Sequence, residues 1–382
     1  MAAESALAGR QILILSSIEW DAAWQRHQAF ARQWAEAGHE VFFVENTGFR
    51  GLGLRDAKRV AKKLSGLARG GPAAKNALPK NLRVINPLVL PPAGVLRRVN
   101  ESVLVPRLAE KLAQAGLSAG CLAVAYLPTP TTLALLDQVR PDAVVYDCVD
   151  NFSGHPDAPD DLARTEGELL RRSALVVTTS STLRQDKEKL HSNVLELHHG
   201  VSAGFFLIPA RRTGYRRFCY FGTLWRAIDY APVRALAEAG FEIELIGPIR
   251  EPLPPFPRNV AARGPVAHEK LPRLLEAFDG LLLPYADDDY NKGVIPAKIY
   301  ECLATGRPVL ASPLPALSRL GGALYFCRSG QDWVAAARSL EAAETPGRRA
   351  ARVALAQENS SERAFARLRQ AVAESLLSPH GR

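Results

Sequence analysis

Apolar residues in this chain fall into short unbroken blocks, and between the blocks they recur at every third or fourth position. QILILS (11–16) reads as a buried strand, Gln25 to Ala37 as a helix stopped by Gly38, and EVFFVE (40–45) as a second strand. The alternation continues through LRVINPLVL (82–90), CLAVAYL (121–127), AVVYDC (143–148), LVVTTS (175–180) and VLELH (194–198). A second series then begins: RFCYFG (217–222), IELIG (243–247), VAARG (260–264), GLLLPY (280–285), PVLAS (308–312) and ALYFC (323–327). Strands that are apolar on both faces and separated by helices imply parallel sheets covered on both sides. The expectation is an α/β chain of two doubly wound domains. The Pro- and Arg-rich stretch IPARRTGYRR (208–217) marks the boundary, which gives domains over 1–207 and 208–355. The Arg-rich tail reads as helical, and its part over 356–382 is expected to pack back on the first domain.

Length and composition agree with two domains: 382 residues, 47% hydrophobic and 23% charged, exceed one comfortable core. No run reaches the about 18 apolar residues that span a bilayer, and Ile12–Leu15 is too short and too late for a signal peptide. A cytoplasmic location is expected. Cys121, Cys148, Cys219, Cys302 and Cys327 sit mostly in apolar runs and nowhere form C-x-x-C, so they read as reduced, buried small hydrophobes.

The net charge of +9 is concentrated in one place. Between residues 50 and 83, ten lysines and arginines face one acid, Asp56, an excess equal to that of the whole chain. Ala57, Val60, Ala61, Leu64, Leu67 and Ala68 follow a helical stripe, with Lys58, Arg59, Lys62 and Lys63 off it. Such a helix suits an anionic membrane surface, where each cation contributes about 1 kcal/mol; the plainer alternative is a solvated face packed on its own domain. Nucleic acid is not expected, because no aromatics are interleaved with the charges.

Ligands of open parallel sheets bind outside the carboxyl ends of the strands, so candidate chemistry is expected in the loops there. After RFCYF come Gly222, Thr223, Leu224 and Trp225, then Arg226 and Asp229 ahead of a helix. A glycine lets backbone approach a ligand, the helix start favours phosphate, and Arg226 adds fixed positive charge. In NKGVIPAKIYECLATGRPVL (291–310), Pro296 sits where a helix can begin, and Lys298 and Glu301 emerge three residues apart on its first turns. Lysine at a helix start is disfavoured unless an anion is there, and a carboxylate accepts hydrogen bonds from paired sugar hydroxyls. Diphosphate on Lys298 and ribose on Glu301 describe a nucleotide; the alternative is an intrahelical ion pair worth about 0.3 kcal/mol.

Over nearly its whole length the chain resembles glycosyltransferases of the GT-B fold, two Rossmann-like domains facing across a cleft, and in particular the large retaining group called family 4. YFGTLWRAID (220–229) is similar to that family's glycine loop. EKLPRLLEAFDGLLLPY (269–285) resembles the approach to the donor site, and GVIPAKIYECLATGRPVLAS (293–312) the donor motif, with Glu301 in the ribose-binding place. LHHGVSAGFF (197–206) looks like the segment closing the first domain. The chain departs from the family at Gly293, where a second glutamate is usual, in SSIEWDAAWQRHQAF (16–30), which lacks a glycine-rich turn, and at Tyr126, where a histidine is frequent. The resemblance implies a nucleotide-sugar donor, UDP-sugar foremost, on the second domain and a glycan or lipid-linked acceptor on the first. It implies retention of anomeric configuration, a role in cell-surface polysaccharide synthesis, and diphosphate stabilisation by Arg226 and Lys298 without a metal or other cofactor.

For the reacting centre, AVVYDCVDNFSGHP (143–156) places Asp150 and His155 after a strand end, where a base within reach of a hydroxyl would lie; ordinary turn formation is the competing account. Glu19, Asp21 and Tyr126 are candidate acceptor contacts. The carboxylates of DDDYNKG (287–293) read as a solvated loop, and His198-His199 and His268-Glu269 lack a third metal ligand, so no metal site is expected. Three other functions compete. A nucleotide-sugar epimerase would use the same fold, and a basic membrane-associated scaffold would need no donor. A nicotinamide oxidoreductase would need G-x-G-x-x-G, but Asp56 stands where the third glycine after Gly51 and Gly53 belongs.

Overall fold

Each apolar block becomes a strand in the computed structural model, which describes residues 2–22, 24–45, 78–90, 94–152, 158–209, 214–288, 291 and 295–377. The first series gives β1 (Ile12–Leu15), β2 (Val41–Val44), β3 (Leu82–Ile85), β4 (Leu122–Ala125), β5 (Ala143–Cys148), β6 (Leu175–Thr178) and β7 (Val194–Glu196). The second gives β8 (Arg217–Phe221), β9 (Glu242–Ile246), β10 (Val260–Arg263), β11 (Gly280–Leu283), β12 (Val309–Ala311) and β13 (Tyr325–Phe326). The sheets have orders β3-β2-β1-β4-β5-β6-β7 and β10-β9-β8-β11-β12-β13, with every recorded pairing parallel. In both, the chain winds outward from a central strand, returns, and winds out the other way. The reversal lies between β1 and β4 in one sheet and between β8 and β11 in the other.

The chain divides into two compact units, one of Met1–Leu197 with Phe365–Arg382 and one of His198–Ala364. The described tail forms two helices, Pro346–Glu358 and Ser361–Leu377, interrupted at Asn359 and Ser360. The second crosses from the latter unit into the former. There Phe365 meets Trp34 edge-on at 5.0 Å and Phe30 at 6.0 Å, both from the helix Arg26–Glu36.

In the second unit, β8 shows why unbroken apolar strands are needed. Phe218 and Tyr220 pack in one hydrophobic cluster with Leu236 and Trp333, whereas Cys219 and Phe221 pack in another with Ile299 and Leu303. Successive side chains point to opposite faces, and both faces are covered. All five cysteines are buried and unpaired.

Buried charge in the first unit is matched. Arg26 Nε donates to Asp147 Oδ2 at 2.8 Å with both side chains 1% exposed, and Arg26 also donates to the Leu197 carbonyl at 2.6 Å. Asp147 occupies β5; its neighbour Tyr146 donates to Glu166 on the other face at 2.7 Å, where Lys187 pairs with the same carboxylate at 2.9 Å. A buried pair is costly to break, because one charge is left without compensation. Arg26→Met is expected to lower stability by about 3–5 kcal/mol, and the double variant Arg26→Met, Asp147→Leu to recover most of that loss. Urea unfolding midpoints check this; equal loss in single and double variants would refute it.

Candidate active site

At the reversal point of the second sheet, β8 runs into Gly222, β9 into Gly247, and β11 into Pro284 and Tyr285. The first two loops lie side by side: Gly222 N donates to Ile246 O at 2.8 Å and Leu224 N to Pro248 O at 2.9 Å. Both glycines have positive φ, 135° at Gly222 and 146° at Gly247. A Cβ on Gly247 would lie 2.0 Å from the Gly222 carbonyl oxygen, and one on Gly222 would lie 2.5 Å from Lys298 Nζ. Glycine at 222 is therefore what lets a lysine reach the backbone at the strand end.

Lys298 occupies the N-cap position of the helix Ile299–Ala304. The helix thus begins three residues after Pro296, which is buried ahead of it, and Lys298 precedes the first turn on which it was expected. Its ammonium donates to Tyr285 Oη at 2.7 Å and Tyr220 Oη at 3.2 Å, and lies 4.7 Å from the Tyr220 ring centroid and 5.3 Å from that of Tyr285. Burial disfavours the charged form, but the two phenol oxygens outweigh burial and raise the lysine pKa, so the ammonium persists. Tyr220 Oη in turn donates a hydrogen bond to Thr223 O at 3.1 Å. Among the described residues no carboxylate pairs with Lys298, and nothing accepts from the Thr223 amide. Two donors at the reversal point thus remain available to an anion, which is the chemistry a diphosphate needs.

Glu301 follows one turn on and does not pair with Lys298. Its Oε1 accepts from His268 Nε2 at 2.7 Å, with both side chains 16% exposed. Because an ionised carboxylate only accepts, Nε2 carries the proton. The contact joins segments 33 residues apart, and nothing in the local sequence around His268 predicts it. Arg226 is more peripheral than expected: its amide donates to Glu251 Oε2 at 2.9 Å, and its half-exposed guanidinium lies 3.8 Å from the same carboxylate. Glu251 had no counterpart in the sequence reading.

The first unit has its own reversal point, where Ser16 and Tyr126 follow β1 and β4. Tyr126 is fully buried and stacks on His27 with centroids 3.7 Å apart, so it supports the loop and does not present itself to an acceptor. His27 in turn meets Ser16 Oγ at 3.1 Å. Glu19 and Asp21 are exposed on the loop after β1. Asp150, half-buried after β5, has its carboxyl pushed up to about 7 by desolvation. His155, Gly293, Asp289 and the basic residues Lys58, Arg59, Lys62 and Lys63 lie outside the described residues. Asp288 accepts from the Asn291 amide at 2.7 Å, which closes its loop. Among the described residues no cluster of three or more histidines, cysteines, aspartates or glutamates is placed to hold a metal ion. No described helix is long and apolar enough to cross a membrane.

The two glycines separate by what a side chain would strike. Gly247→Ala meets backbone and is expected to destabilise more than Gly222→Ala, which meets a flexible lysine end and adds about 1–3 kcal/mol of backbone strain. Urea titration ranks them, and equal midpoints for the two variants would contradict the close packing of these loops.

No protein-family model matches the chain. In sequence it is similar to a putative teichuronic acid biosynthesis glycosyltransferase of Bacillus subtilis, TuaH, with 25% identity over 209 residues, 47% of this chain and 52% of that one. The match thus spans about half the length of that relative. In structure it is similar to Anabaena HepE in complex with UDP and glucose, with a TM-score of 0.65 and 14% identity, covering 96% of this chain and 100% of that chain. It is also similar to the UDP-forming α,α-trehalose-phosphate synthase of Burkholderia vietnamiensis, with a TM-score of 0.59 and 12% identity over 96% and 99% of the two chains. The chain has the fold of these structures, the tandem of Rossmann-like parallel-sheet domains known as GT-B.

Proposed function

We propose that this protein is a glycosyltransferase that takes a sugar from a UDP-sugar bound on its second unit. The observation that carries the reading is the arrangement at the β8/β11 reversal point: a fixed ammonium with no counter-ion among the described residues, beside a backbone amide that no described residue accepts from, with a carboxylate one turn further along. That set matches diphosphate and ribose. The capture of UDP and glucose by a similarly folded chain, and the putative teichuronic acid role of the sequence relative, support the same direction.

In this reading, Lys298 and the Gly222–Thr223 loop stabilise charge developing on the departing diphosphate, worth most where water is excluded. Arg226 assists from the rim, and no metal is required. Asp150 takes the acceptor hydroxyl's proton, since a carboxyl poised near neutrality suits a general base. Glu19 and Asp21 meet the acceptor, a glycan or lipid-linked saccharide of a cell-surface polymer, and transfer proceeds with retention. The basic segment around Lys58, Arg59, Lys62 and Lys63 holds the protein on the anionic inner membrane face, and recovery with anionic and neutral liposomes tests that placement: equal flotation in both would remove it.

UDP at a hundred times its dissociation constant is expected to stabilise the protein by about 2.7 kcal/mol, several degrees in a melt, and Glu301→Ala to lose most of that gain. No shift with UDP, GDP or ADP would return Lys298 and Glu301 to a structural role, and conversion of the sugar nucleotide without acceptor would mean an epimerase.

Asp150 predicts two pH effects. Its folded pKa is raised, so the bound proton contributes stability that is fully present below the ordinary value of 3.8 and is lost as pH rises toward about 7. Transfer requires the ionised form and should rise through the same window. Asp150→Asn is expected to flatten the stability difference with pH and to lower turnover by about 10²–10⁴ while leaving UDP affinity unchanged. Full turnover in a folded, UDP-binding variant would exclude Asp150 as the base.

A further inference from the structure

We infer that His268 is a positioning residue that makes Glu301 a selective acceptor for a ribose diol, an inference that rests on the nucleotide-sugar reading of this site. The helix Ile299–Ala304 presents Glu301 in its first turn, and the short helical segment His268–Lys270 presents His268 against it. The imidazole is steadied on its own side by Phe205, whose ring centroid lies 5.4 Å away.

A glutamate side chain at a helix start has several rotamers of similar energy, and an unheld carboxylate beside the Lys298 ammonium would be drawn to it as an i,i+3 pair. That pair would cancel the Lys298 charge that this reading assigns to a diphosphate. The hydrogen bond from His268 Nε2 to Glu301 Oε1 holds the carboxylate away from this alternative. It also divides the two oxygens by role. Oε1 is occupied, and among the described residues nothing donates to Oε2, which therefore remains an acceptor for a hydroxyl. A carboxylate fixed beforehand loses less freedom when the hydroxyl arrives, so the gain from His268 appears as discrimination between ligands that carry the diol and ligands that lack it. Lys298 would contact the diphosphate of either ligand and is indifferent to the sugar hydroxyls.

Calorimetric titration of the full chain with UDP and with 2′,3′-dideoxyuridine diphosphate separates these effects. The wild type is expected to prefer UDP by about tenfold or more, the range of one hydrogen bond to a charged group. His268→Ala should remove most of that preference by weakening UDP while leaving the dideoxy ligand nearly unchanged, and His268→Gln, whose amide can still donate, should restore part of it. Glu301→Gln combined with His268→Ala should be no worse than Glu301→Gln alone, because the two residues act through one contact. Equal weakening of both ligands by His268→Ala, or an intact preference, would overturn the positioning role while leaving the nucleotide reading standing. A wild type that binds neither UDP, GDP nor ADP would overturn both.

Discussion

A parallel sheet covered on both faces leaves polar side chains almost nowhere to go except the ends of its strands. In the second unit this constraint sets the whole arrangement. Phe218, Cys219, Tyr220 and Phe221 are all committed to packing, so the first position of β8's path able to meet a ligand is Gly222. The reversal between β8 and β11 opens a gap there, because the helices that follow the two strands leave in different directions. Lys298 fills the gap from a third segment, and the two tyrosines that hold it belong to the reversal strands or their extensions.

Two cations of the protein, Arg26 and Lys298, are treated differently. Arg26 is matched by Asp147 at 2.8 Å and by a carbonyl, so its charge is consumed within the fold. Among the described residues, phenol oxygens and ring faces surround the Lys298 ammonium. Each removal of an ion from water costs several kcal/mol. A cation–π contact contributes about 2 kcal/mol at best and a hydrogen bond to a charged group about 1.5–3. The phenols can therefore keep the ammonium charged without cancelling it, and the remaining field points outward. That contrast, more than the presence of lysine, separates a site from a structural ion pair.

The strands were legible because most of them are continuous apolar blocks whose length and flanking glycines distinguish them from helices. Gly222, Lys298 and Glu301 were legible because a local motif contains them. Their partners were not: Tyr220 looks like any strand aromatic, Tyr285 like the end of an apolar run, and His268 lies 33 residues from the carboxylate it holds. Gly247 carries the same strand-end signal as Gly222 and could have been read from IELIG followed by proline. Tyr126 shows the opposite failure. It stands at the right strand end, but pattern alone does not tell that His27 would cover its ring. Likewise the helix start at Ile299 was placed too early, since proline marks where a helix is permitted and not where its hydrogen bonds begin.

The path of the helix Ser361–Leu377 also bears on how the chain is made. The second unit is continuous in sequence, from His198 to Ala364, whereas the core of the first includes Phe365, Leu368 and Val372. Emerging from the ribosome in order, residues 1–197 come out first yet lack a face that covers Phe30 and Trp34. The later unit has all its strands before the earlier one has its last helix. The nascent first unit must wait with aromatic surface uncovered, and chaperone demand during synthesis should centre on the helix Arg26–Glu36.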